Sequence, residues 1–184
     1  MPDSDAGQVQ GVNLGLIGAR ASGKSTIGPL LAQRLGMEFI DTDERTLDRF
    51  QETTVQDAWR IHGEAAWRGV ELEVALELLA GEGQVLAMGG GMPIIAGVGE
   101  AMQQAQEAGR LVVIYLDAPG ELLASRLSGL EGDRPSLTGK GVIEEIGGVL
   151  ADRDPVYKAL CDMAIQALDE PAESTVDRLV AALD

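Results

Sequence analysis

The sequence predicts a three-layer α/β fold, a five-stranded parallel sheet flanked by helices. Three observations predict it. Short runs rich in Val, Ile and Leu alternate with longer stretches of helical periodicity, the pattern of strands joined by crossover helices. Hydrophobic residues make up 45% of the 184, yet only six are aromatic, so the core is mainly Leu, Val, Ile and Ala, as suits a parallel sheet covered on both faces. The first apolar run, Val12 to Ile17, leads directly into a glycine-rich turn and then a helical pattern beginning near Thr26.

That turn, Gly18-Ala19-Arg20-Ala21-Ser22-Gly23-Lys24-Ser25-Thr26, fits the phosphate-loop pattern G-x-x-x-x-G-K-[ST]. With 24 Gly, three Lys and 14 Ser or Thr in the chain, about 0.004 such matches are expected by chance. A glycine turn with an idle lysine is therefore a poor account, and the fold is expected to be of the P-loop NTPase type. Backbone N–H groups at the head of a helix carry partial positive charge and cradle phosphates. Lys24 would reach the β- and γ-phosphates of ATP, and the Ser25 hydroxyl would hold Mg²⁺.

Length and charge bound the rest. Residues 1–10 are polar and acidic and are read as a disordered leader, with one domain over 11–184. A net charge of −16 argues against a polyanionic partner, because nucleic-acid binding needs a basic face. No apolar run approaches the roughly 20 residues that span a bilayer, and no secretory pattern opens the chain. A cytoplasmic monomer with no membrane partner is expected. Cys161 is the only cysteine, so neither an intrachain disulfide nor a cysteine-rich metal site can form. Arg34, Arg49 and Arg178 read as surface partners of nearby carboxylates.

In chain order, Ile27, Leu30, Leu31 and Leu35 recur at helical spacing and Gly36 stands where that helix ends. Met37 to Ile40 reads as a second strand, ending on Asp41-Thr42-Asp43. Two carboxylates beyond a strand's carboxyl end lie where open α/β sheets collect ligands; the other use of these residues is a helix N-cap for segment 44–50, supplied by Thr42 or Asp43. Val55 to Leu79 is helical in two pieces broken near Gly63. Within it Arg68 and Glu71, at i, i+3, read by themselves as a surface ion pair. His62, with no carboxylate or nucleophile at a telling spacing, reads as a helix-end or solvent-exposed residue.

Val85 to Met88 forms the third strand and runs into Gly89-Gly90-Gly91. Three glycines are costly to order, so a ligand approaching the backbone is one reason for them and a flexible loop the other. A helix over 97–108 follows, then a buried strand from Leu111 to Leu116, then a helix from Pro119 to Leu127. The stretch 128–141 is the least regular in the chain, where a mobile lid belongs if water must be kept from a transferring phosphate. Helical periodicity resumes from Val142 to Leu150. A weak strand over 161–168 and a helix opened by Pro171 complete the pattern.

The ordered set of phosphate loop, Asp41-Thr42-Asp43, Trp67-Arg68 with Glu71, Gly89-Gly90-Gly91, Arg134-Pro135, and Arg153 with Tyr157 resembles the shikimate kinases from Val12 onward. The resemblance implies ATP-dependent phosphorylation of shikimate, in aromatic amino-acid biosynthesis, with ATP and Mg²⁺. It implies that Gly18, Ala21, Ser22, Gly23, Lys24, Ser25 and Thr26 hold the nucleotide and that Arg126 stacks on adenine. Arg134 would be the lid arginine over the transferring phosphate. Asp41 would act with Ser25 at the metal, and Asp43 would bind substrate hydroxyls and accept a proton. Lys24, Asp43 and Arg134 are thus the implied catalytic set. Arg68 and Arg153 would grip the shikimate carboxylate with forked donors, while Gly89, Gly90 and Gly91 lie against its ring.

Some positions depart from the family pattern. Ala21 stands where another glycine is usual, Met92 follows the triplet, Ser136 follows Arg134-Pro135, and an adenine-side arginine near Asp169 and Glu170 is absent. If position 21 needs positive φ, the loop is strained. Two other functions fit the same residues: a kinase for another hydroxy acid such as gluconate, or a catalytically silent ATP-binding regulator.

Overall fold

The structure is a computed structural model that describes residues 11–128 and 142–183. The expected leader and nearly all of the expected lid, Arg134 and Ser136 included, lie outside the described residues. The elements run β1 (Asn13–Ile17), α1 (Lys24–Leu35), β2 (Glu38–Asp41), α2 (Thr42–Leu47), α3 (Val55–Ala80), β3 (Gln84–Ala87), a 3₁₀ turn (Met92–Ile94), α4 (Val98–Glu107), β4 (Leu111–Asp117), α5 (Gly120–Ser128), α6 (Val142–Leu160), β5 (Met163–Gln166) and α7 (Ala172–Leu183).

The five strands form one parallel sheet in the order β2-β3-β1-β4-β5. Strand side chains alternate between faces, and the core divides accordingly. Leu14, Leu16, Val85, Ile114 and Leu116 pack on α1 and α7, whereas Ile17, Leu86, Val113 and Tyr115 pack on α3, α4 and α6. Both faces of the central strands are therefore covered, which is why those strands read as unbroken apolar runs. The aromatic residues are few but central: Trp67, Tyr115 and Tyr157 are among the largest fully buried side chains.

β1 has β3 on one side and β4 on the other, so chain direction across the sheet reverses beside it. Ligands gather at the carboxyl ends of strands beside such a reversal. The turns leaving β1, β2 and β3 are the phosphate loop, Asp41-Thr42-Asp43 and the glycine triplet.

The expected elements are present, with four corrections. α1 begins at Lys24 rather than near Thr26, capped by Gly23 at φ 110; Gly36 ends it at φ 68, as the periodicity required. The cap of α2 is Asp41, not Thr42 or Asp43: its side chain accepts from the Asp43 N–H, and Thr42 already belongs to the helix. A 3₁₀ turn follows the triplet, where Pro93 sits at its start. α6 does not stop at Leu150 but runs to Leu160 through Pro155. Proline removes one helix bond, but Tyr157 and Leu160 beyond it are buried in the core and hold the final turns. The break within α3 is real, since Gly63 has φ 82 and ψ 162.

Candidate active site

The phosphate loop is shaped by three residues at positive φ: Gly18 (143), Ala21 (64) and Gly23 (110). A Cβ at Gly18 would stand 2.8 Å from the Leu116 carbonyl, so that glycine is fixed by both torsion and space. Ala21 is the sole non-glycine residue at positive φ among those described, and a side chain there costs about 1–2 kcal/mol. The strain anticipated from the family departure is thus present. Lys24, nearly buried, donates to the Gly18 and Ala19 carbonyls at 2.8 Å each and to Ser22 Oγ at 3.3 Å. Its ammonium therefore sits inside the curl of the loop.

Ser25, on the first turn of α1, donates from Oγ to Asp41 Oδ2 at 2.6 Å. The other Asp41 oxygen accepts from Asp43 N at 2.9 Å, so the cap of α2 also orients the carboxylate toward Ser25. The helix capping posed as one use of this stretch is done by Asp41, which holds Ser25 with its second oxygen. Arg126 on α5 spans the far rim of the same cleft, donating to the Ala21 and Ser22 carbonyls at 3.2 and 3.3 Å and to Leu168 O at 2.9 Å. Glu170, near which an arginine would be usual, also lines this cleft and is bonded by Arg178 of α7 at 2.6 Å.

A second pocket opens beside the first. None of Gly89, Gly90 and Gly91 has positive φ, so torsion does not account for the triplet; space does. A Cβ at Gly89 would stand 2.5 Å from Asp43 Oδ1, and one at Gly91 would stand 2.6 Å from Arg68 Nη1. At Gly90 the nearest atoms would be Gly18 O at 3.4 Å, Arg20 N at 3.5 Å and Arg153 Nη1 at 3.6 Å. The triplet is a ledge against which the Asp43 and Arg68 side chains rest directly. Thr42, fully buried, anchors it by accepting from the Gly89 N–H at 2.8 Å.

Arg68 is not a surface residue paired with a surface glutamate. Glu71 is only 2% exposed and accepts from Arg68 Nη1 at 2.6 Å. Burial pushes the Glu71 carboxyl up, and the Arg68 charge pulls part of that rise back. The guanidinium also lies 5.3 Å from the centre of the Trp59 ring, a cation–π contact, with Glu64 at 3.4 Å on its outer side. Between them these partners fix the guanidinium's direction. Trp67 is buried and stacks on Phe50, with ring centres 5.5 Å apart.

The two cavities share Arg20, Asp43 and Gly90. Sequence-assigned residues are thus brought together in two groups that meet: Gly18 to Thr26, Asp41 and Arg126 on one side, and Arg68, Arg153 and the triplet on the other, with Asp43 between. Arg134 lies outside the described residues. His62 belongs to neither cavity; it is partly exposed and sits 3.0 Å from Glu52. Arg34, Arg49 and Arg178 pair with Asp177, Glu77 and Glu170, as surface arginines should. Sequence reasoning missed Arg20, Trp59 and Thr42. Arg20 was discoverable as a cation inside the loop motif of a cation-poor chain. Trp59 carries no signal separating it from core, and Thr42 required knowing what β3 brings beside it.

A parallel sheet with its reversal at β1, a phosphate loop heading α1 and an adjoining pocket lined by arginines define a P-loop kinase of small molecules. The shikimate kinase family model matches residues 20–184. Shikimate kinase 2 of Erwinia tasmaniensis is 40% identical over 170 residues, 91% of this chain and 93% of that protein. Among solved structures, the shikimate kinase from Acinetobacter baumannii in complex with shikimate superposes with TM-score 0.86 at 29% identity, covering 98% of this chain and 97% of that one. A gluconokinase from Sinorhizobium meliloti, at TM-score 0.59 and 20% identity over 95% and 93% of the two chains, shares the fold alone. The chain belongs to the shikimate kinase family.

Proposed function

We propose that this enzyme transfers the γ-phosphoryl group of ATP to the 3-hydroxyl of shikimate, in aromatic amino-acid biosynthesis. The observation that carries the reading is the arrangement of Arg68 and Arg153 against the glycine ledge, beside Asp43 and within a cavity continuous with the phosphate loop. Two forked cations suit a carboxylate. A flat backbone surface suits a ring, and Asp43 is placed for hydroxyls at the junction with the donor.

In the proposed reaction the acceptor hydroxyl oxygen bonds to the γ-phosphorus as the bond to the bridging oxygen breaks, and ADP departs with that electron pair. The hydroxyl proton passes to the Asp43 carboxylate. Phosphoryl transfer asks mainly for positioning and charge, which Lys24 supplies from within the loop and Arg134 from the lid. Among the described residues no cluster of three acidic, His or Cys side chains could hold a metal unaided. Ser25 and Asp41, already joined oxygen to oxygen, fit Mg²⁺, which is typically held by one or two protein oxygens together with nucleotide phosphates. When bound, the ion would neutralise charge on those phosphates. Arg126 would face the adenine. No described helix is long and apolar enough to cross a membrane, and the acidic chain suits a cytoplasmic monomer that binds no nucleic acid.

A coupled assay should give ADP release that needs both shikimate and Mg²⁺; absence of turnover with pure protein would sink the reading. Arg68→Ala should raise the shikimate KM about tenfold to a hundredfold while the ATP KM stays near the wild-type value. An unchanged shikimate KM would remove Arg68 from the carboxylate site.

A further inference from the structure

One buried polar group behind the glycine ledge has no part in that reaction. α6 presents Arg153 and, one turn later, Tyr157 on the same face. Tyr157 is fully buried, yet its O–H donates to the Gly90 carbonyl across the gap between α6 and the ledge. Burial raises the phenol pKa and the neighbouring Arg153 charge pulls part of that rise back, so the group stays protonated at neutral pH; Arg153 Nη1 itself lies 3.6 Å from where a Gly90 Cβ would stand. Phenylalanine would fill this space without burying a hydroxyl, so packing by itself does not explain the oxygen. Pro155 lies between the two residues and deletes the helix bond to the Ala151 carbonyl. The backbone ladder is thus interrupted at the turn that carries Arg153, and a side-chain tie supplies restraint there. Tyr115 is the natural contrast. It is equally buried and packs on Tyr157 at 5.3 Å between ring centres, but its hydroxyl ends on Asp154 at 2.9 Å, outside the pocket.

We infer that Tyr157 is a positioning residue for the acceptor: its hydroxyl fastens α6 to the Gly90 carbonyl one turn beyond Arg153, so the arginine beside that glycine meets the substrate carboxylate already aimed across the ledge. This rests on the proposed function and concerns how that site is held. The test compares Tyr157→Phe and Tyr115→Phe by steady-state kinetics with shikimate and ATP, and repeats Tyr157→Phe in an Arg153→Ala background. Tyr157→Phe should raise the shikimate KM about fivefold to tenfold, with ATP KM and kcat within about twofold of wild type. Tyr115→Phe should leave both KM values in place. In the Arg153→Ala background the Tyr157 substitution should add less than about twofold, because its effect passes through that arginine. KM does not depend on the folded fraction, so a poorly folding preparation still reports. An unchanged shikimate KM, an equal rise in ATP KM, or a full additional penalty without Arg153 would overturn the inference while wild-type turnover left the function standing. A wild-type enzyme inactive on shikimate would instead remove the functional reading and this inference with it.

Discussion

The phosphate loop and the glycine-ledge pocket meet at Arg20, Asp43 and Gly90, but they are built in opposite ways. The loop is one unbroken stretch from Gly18 to Thr26, and what it offers a phosphate is mainly backbone geometry, fixed by positive torsions at Gly18, Ala21 and Gly23. The pocket draws single residues from α2, α3, the end of β3 and α6, and its chemistry lies in side chains held by other side chains: Arg68 by Glu71 and Trp59, and the ledge by Thr42. A backbone site tolerates substitution at most positions and fails at a few. A side-chain site depends on clearances and charges contributed from far along the chain.

Four changes would break or sharpen that contrast. Lys24→Ala removes the ammonium inside the loop and should cut kcat by about a thousandfold, read in the coupled assay; loss of less than tenfold would mean that backbone alone carries the donor side. Gly89→Ala adds a methyl 2.5 Å from Asp43 Oδ1 and 3.3 Å from Glu71 Oε1, where neither carboxylate can overlap it. Displacing Asp43 by even an ångström should cost about a hundredfold in kcat with ATP binding preserved.

Glu71 makes the third test, through pH. Its folded pKa lies above the ordinary 4.5, raised by burial. The stability it contributes is present below pH 4.5 and is lost as pH rises through the higher folded value, whereas its grip on Arg68 strengthens over the same interval. Shikimate KM should therefore rise on acidification through that interval even as Glu71's contribution to stability increases, and Glu71→Gln should flatten both trends in kinetics and thermal melting. The smallest effect belongs to Ala21→Gly. Relief of about 1–2 kcal/mol of torsional strain is offset by about 0.4–1 kcal/mol of extra unfolded-chain entropy, leaving a gain below about 2 kcal/mol in denaturant unfolding. A loss of stability would show that the Ala21 methyl packs usefully beside α5.

The loop was legible because its motif is contiguous and its context, strand before and helix after, is local. The break at Gly63 was legible for the same reason. The N-cap of α2 falls on Asp41 rather than on Thr42 or Asp43, because the carboxylate expected beside Ser25 also accepts from the Asp43 N–H. The continuity of α6 past Pro155 was hidden because core packing around Tyr157 and Leu160, not local propensity, decides it.

By itself the sequence determined the fold class and the phosphate loop, because apolar runs, helical hydrophobic patterns and glycine-rich turns are properties of neighbouring residues. Only the tertiary structure decided that the Glu71 partner of Arg68 is buried, that the triplet exists for clearance rather than torsion, that Ala21 sits at positive φ, and that Tyr157 reaches Gly90. All but the Ala21 torsion depend on distances between residues remote in the chain, and such distances are fixed when the parallel sheet sets its strand ends side by side.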